Sequence, residues 1–225
     1  MVSGFDDVES ILKQVERKVA AVPVRNVPSV RAIRREYSKQ LANWSAPNML
    51  DLVAGLIAER SWPHRLIGFE LLANHPKAFS RLNDKRIDRL AKGLTDWGSI
   101  DLFGCSLAGP AWRDGLLSDR QVENWMNSPD RWRRRLALVC TVALSRSARA
   151  KPANAAKVLY VCRRLVADRD DMVVKALSWA LRELSKFSRD EAQTFLEENE
   201  PDLAARVVRE LNNKLRTGLK TPKGR

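Results

Sequence analysis

One short pattern recurs along the chain, and it limits the possible folds more than any other feature. It is a large apolar residue, two variable positions, a base, then an apolar pair. It reads Trp62-Pro63-His64-Arg65-Leu66-Ile67, Trp132-Arg133-Arg134-Arg135-Leu136-Ala137, Met172-Val173-Val174-Lys175-Ala176-Leu177 and Leu203-Ala204-Ala205-Arg206-Val207-Val208. A further copy begins at Trp97, so Trp62, Trp97 and Trp132 are 35 residues apart, Met172 follows after 40 and Leu203 after 31. A period of this length marks a stacked supersecondary unit that cannot bury its apolar face alone. Between the copies, apolar residues keep helical spacing: Val8, Ile11, Leu12, Val15 and Val19, then Val30, Ile33, Tyr37, Leu41 and Trp44. The chain is therefore expected to be all-α, a curved solenoid of HEAT-like antiparallel helix pairs (an α-α superhelix). Residues 1–217 are expected to form a single domain and 218–225 a basic tail without fixed structure.

Proline and capping residues place the boundaries. All ten prolines can be assigned to connections or first turns, and Ser118 is a capping residue for a helix that runs to Met126. Helices are expected over Asn154 to Ala167, Asp170 to Lys186, Arg189 to Asn199 and Pro201 to Arg216. The stretch Gly104-Cys105-Ser106-Leu107-Ala108-Gly109-Pro110 is rich in glycine, so the helix opened by Trp97 is expected to be short.

Charge narrows the partners. Forty Lys and Arg against 27 Asp and Glu leave +13, an excess that attracts polyanions. The bases are scattered over many helices, which points to nucleic acid more than to a membrane surface. No apolar run is long enough to cross a bilayer. Cys105, Cys140 and Cys162 are odd in number, widely spaced and set among apolar residues, as reduced thiols of a cytoplasmic protein would be. With only His64 and His75 and no cluster at ligand spacing, no metal and no cofactor are expected.

The copy at Trp97 breaks the rule. Ile100 replaces the base and Asp101 stands where Leu66, Leu136, Ala176 and Val207 stand elsewhere. Trp97 and Asp101 share a helix face, and Trp179 lies one turn after Lys175 on the face of another helix. Each indole has a competing reading as core, and Asp101 as a carboxylate in a helix's first turn. The recurring bases Arg65, Arg135, Lys175 and Arg206 either track phosphates along a groove or bond the preceding repeat's carbonyls and carboxylates.

Taken with the repeated helix pairs, Trp97-x-x-x-Asp101, Trp132-x-x-Arg135 and the run Lys175-Ala176-Leu177-Ser178-Trp179-Ala180-Leu181-Arg182-Glu183 resemble the AlkD family of DNA alkylation repair proteins over roughly residues 30–217. The resemblance implies a solenoid gripping double-stranded DNA in a basic groove. It also implies a monofunctional glycosylase, working without full base flipping, that excises cationic alkylpurines of the 3-methyladenine and 7-methylguanine type. On that basis Asp101 is the catalytic carboxylate and Trp97 and Trp179 flank the lesion. Arg135, Arg134, Lys175 and Arg182 contact DNA, and the protein acts as a monomer. Two other readings stay open, a HEAT-repeat protein that binds damaged or branched DNA without excising bases and a protein-binding scaffold. Because its register is apolar elsewhere, Asp101→Asn is expected to fold as stably as the parent.

Overall fold

A computed structural model of the chain describes residues 7–146 and 152–222. All regular structure among them is helical, and no helix there is long and apolar enough to cross a membrane. The last residues of the expected tail, 223–225, lie outside the described residues. The chain divides into two compact units, Met1–Gly93 and Leu94–Arg225.

The first unit holds α1 (Val8–Ala21), α2 (Val27–Gln40), α3 (Ala46–Ala58), α4 (Trp62–Ala73), a single turn α5 (Pro76–Phe79) and α6 (Asp84–Ala91). Asp7, Asn26, Ser45 and Asn83 each accept a backbone N–H at a helix start, which satisfies donors that have no partner within the helix. α1 packs on α2 and α3, and α4 packs on α2 and α3, so one helix pair stacks on the next. The apolar stripes Ile11-Val15-Val19 and Val30-Ile33-Tyr37 close that core. Arg31 and Arg34 of α2 both donate to the buried Glu70 of α4, at 2.8 and 3.1 Å.

The second unit begins with α7 (Trp97–Phe103), which runs through a π turn (Gly104–Ala108) into α8 (Gly109–Arg113). It continues with α9 (Asp119–Met126), α10 (Arg131–Arg146), α11 (Pro152–Arg164), α12 (Asp171–Leu184), α13 (Arg189–Asn199), a 3₁₀ turn (Glu200–Asp202) and α14 (Ala205–Thr217). α10 is central. The α7–α8 helix packs on one side of it and α12 on the other, with α14 beyond α12. α9 and α11 form an outer row against α10, and α13 packs on α12 and α14.

Several boundaries differ from expectation. The helix opened by Trp97 does not stop at Gly104, and Pro110 sits inside an unbroken helical stretch. The π turn makes room for it: Gly109 N–H reaches back five residues to Gly104 O, so the ladder is already widened where proline has no N–H to give. Leu203, by contrast, lies before α14 and not within it, because the 3₁₀ turn takes up the residues around Pro201.

The two glycines bounding the π turn are there for packing. A Cβ on Gly104 would meet Val139 Cγ1 at 2.7 Å, and one on Gly109 would meet Ala143 Cβ at 2.6 Å and Cys140 O at 2.7 Å. Their absence lets this helix lie directly against α10. Gly109→Ala should lower stability by about 1–3 kcal/mol, since backbone cannot yield as a side-chain tip would. The denaturant midpoint measures this, and a parental midpoint would show that α8 is free to move off α10.

Candidate active site

Asp96 caps α7 by accepting Ser99 N–H at 2.8 Å, and this fixes the first turn, from which Trp97 projects. Trp97 is 63% exposed, so core packing does not account for it. One turn later the side chain of Asp101 is 20% exposed and meets Arg135 of α10. Arg135 Nε donates to Asp101 Oδ1 at 3.0 Å and Nη2 to Oδ2 at 2.8 Å, the bidentate fork that guanidinium geometry favours. Its Nη1 donates to Met172 O of α12. Arg135 thus ties α7, α10 and α12 together at the carboxylate.

Cys105, a further turn along the same face, lies within electrostatic reach of Asp101 and Arg135 and also of Arg146 and Glu183. These last two form a second cluster around Trp179. Trp179 Nε1 donates to Glu183 Oε1 at 3.3 Å, and Arg146 lies 5.1 Å from the ring centroid. Arg146 and Lys186 both pair with Glu183, at 3.2 and 2.8 Å.

The two carboxylates titrate in opposite directions. Burial raises the Asp101 carboxyl above its ordinary value, and the hydrogen bonds and charge of Arg135 offset only part of that. Burial also pushes Glu183 upward, but hydrogen bonds and charge from Arg146 and Lys186 outweigh it and hold the group below its ordinary value. The shift at Glu183 is that of a carboxylate in an ion-pair network, whereas that at Asp101 is set by burial. Desolvation pushes the Cys105 thiol up to about 12, so it is protonated at neutral pH and no nucleophile.

The residues expected to contact DNA divide into two kinds. Lys175 is on the surface, its side chain 41% exposed and paired with Asp171 at 2.6 Å. The other three are engaged within the protein. Arg135 has a side-chain exposure of 6% and all three of its nitrogens are engaged. Arg134 donates to Asp168 at 2.7 Å and to the carbonyls of Ser128 and Pro129. Arg182 lies beside Ser178 at 3.2 Å and Glu210 of α14 at 3.7 Å, with burial pulling its pKa down. Arg–carboxylate pairs thus join helices distant in sequence, with the guanidinium fork matched to carboxylate oxygens. The recurring bases follow the same split: Arg65 and Arg135 are buried, while Lys175 and Arg206 reach solvent.

Arg146, Glu183 and Cys105 went unassigned in the sequence reading. Arg146 follows Arg135 by three turns of α10, and Glu183 follows Trp179 by one turn, so both spacings were visible. Among the described residues no three of His, Cys, Asp and Glu gather as a metal site. A family model described as DNA alkylation repair enzyme matches residues 17–214. Comparison with curated proteins and with solved structures returns no match.

Proposed function

Because the chain belongs to the DNA alkylation repair enzyme family, we propose that it acts on alkylated DNA as a monofunctional glycosylase, hydrolysing the N-glycosidic bond of cationic alkylpurines in the duplex. The observation that carries this reading is Asp101, a carboxylate held rigidly by Arg135 one turn from an exposed indole. Alkylation at a ring nitrogen makes the purine cationic, so it leaves with the electron pair of its bond to C1′ and needs no general acid. The sugar left behind carries positive charge. A carboxylate preorganised beside it stabilises that charge and directs the attacking water, whose proton passes to the carboxylate or to solvent. Indole faces attract the cationic base, at about 0.5–2 kcal/mol each.

On this reading Trp97 and Trp179 border the lesion, Lys175 meets phosphate, and Arg135 is a positioning residue. The reaction needs neither metal nor cofactor, and one chain suffices. The test is release of free 7-methylguanine and 3-methyladenine from methylated duplex DNA in the presence of chelator. DNA bound without base release would overturn it. One observation favours a second reading: Arg135 already neutralises much of the charge on Asp101, and a protein that binds alkylated DNA without excision would tolerate that.

The titration of Asp101 has a readable consequence. Excision needs the ionised carboxylate, so its rate should fall with acidification at a pH above that of an ordinary aspartate. Stability should respond in the opposite sense. A raised carboxyl pKa contributes stability fully below the unfolded value and loses it as pH rises through the folded one. Single-turnover rates and melting temperatures over the acid range separate the two, and an acid limb at or below the ordinary aspartate value would remove Asp101 from the rate.

A further inference from the structure

The first unit carries a cleft of about 870 Å³ between α3, α5 and α6, lined by none of the residues discussed above. Its floor is Pro47, Leu50 and Ala54 of α3 with Leu90 of α6. This is the face of α3 turned away from the core residues Met49, Leu52, Val53 and Leu56. Around it stand Lys77, Arg81, Arg86 and Arg89, all exposed, against one lining acid among the described residues, Asp51. Arg86 Nη1 donates to Arg81 O at 2.8 Å, which holds that guanidinium near the cleft instead of leaving it to swing in solvent.

A concave surface walled by one sign of charge focuses its field, so four cations here attract an anion more strongly than the same four scattered. Three are guanidiniums, whose fork matches phosphate oxygens. The lining contains no aromatic side chain, so the cleft lacks the stacking platform by which unpaired bases are held. The chemistry that fits is a run of phosphates with apolar sugar edges against Leu50 and Leu90, read without regard to sequence.

We propose that this cleft is a second DNA contact, a seat for the phosphate backbone of duplex DNA that adds affinity independent of damage. It fits a protein whose family acts on DNA, and it does not depend on base excision.

The test uses undamaged duplex and the combined variant Lys77→Gln, Arg81→Gln, Arg86→Gln, Arg89→Gln, with affinity followed by fluorescence anisotropy over a salt series. Each phosphate contact contributes about 0.9 to the slope of log affinity against log salt, so the slope should shrink by about 3–4. Affinity at low salt should fall by at least about tenfold. The side chains are exposed, so the melting temperature should stay parental. If the combined variant does not fold, Lys77→Gln with Arg81→Gln, both outside α6, should remove about half of that slope. A parental slope and affinity would show these to be solvated surface charges and overturn the proposal. Inorganic tripolyphosphate is added in a second arm at constant ionic strength. Tripolyphosphate binding that the variant loses, while its duplex slope and affinity stay parental, would assign the cleft to a small polyphosphate and overturn the DNA assignment. A slope that shrinks as expected, in a parent that releases no methylated base, would overturn the excision reading alone.

Discussion

Asp101→Asn should release 7-methylguanine at least about 100-fold more slowly than the parent in a single turnover, while still binding duplex DNA. An amide has no net charge to set against the cation that develops on the sugar, and it cannot take the proton of the attacking water. Stability should hold or rise slightly, in line with the apolar register: burial of the charge costs more than Arg135 returns, so a neutral amide removes that cost even as it offers Arg135 one acceptor in place of two. The two readouts are independent. Excision at the parental rate would remove Asp101 from the mechanism, and a clear fall in melting temperature would show that the pair with Arg135 outweighs the burial of the charge.

Removing the other partner should cost more in stability. Arg135→Ala is expected to lose about 3 kcal/mol, the lower end for a broken buried pair, because Asp101 keeps some contact with water. The carboxylate left behind has burial without compensation. Its pKa should rise further, and the acid limb of excision should move to higher pH. Arg135→Lys should restore little, since one ammonium cannot make both carboxylate bonds and the bond to Met172 O. A phosphate-contacting Arg135 gives a different result: a near-parental melting temperature, an unmoved pH limb and a DNA-binding salt slope smaller by about 0.9. Denaturant unfolding, the pH–rate profile and the salt series together separate the two roles.

The repeat was legible because each stacked helix pair must hide its own apolar stripe, and Trp62, Trp97, Trp132 and Met172 do open or nearly open α4, α7, α10 and α12. The expected helix Arg189 to Asn199 matches α13, since an acidic first turn and apolar periodicity suffice there. The break at Ile100 and Asp101 was legible for the same reason, as a departure from a rule stated elsewhere in the chain.

What the recurring base does was not legible. Arg135 and Lys175 hold the same place in the pattern, yet one is buried against Asp101 and the other reaches solvent. The carboxylate that Arg135 meets lies 34 residues away, on a neighbouring helix whose rotation periodicity does not specify. The glycine-rich stretch after Asp101 looked like the end of a helix, because local propensity disfavours glycine and proline within one. Tertiary packing reversed that, since only the surface of α10 at Val139, Cys140 and Ala143 shows that Gly104 and Gly109 are needed for close approach. Local rules and periodicity therefore determined the helices, their order and the one exceptional register. The charge partners, the π turn and the arrangement around Asp101 were decided by contacts between helices distant in sequence, where burial makes each pairing count.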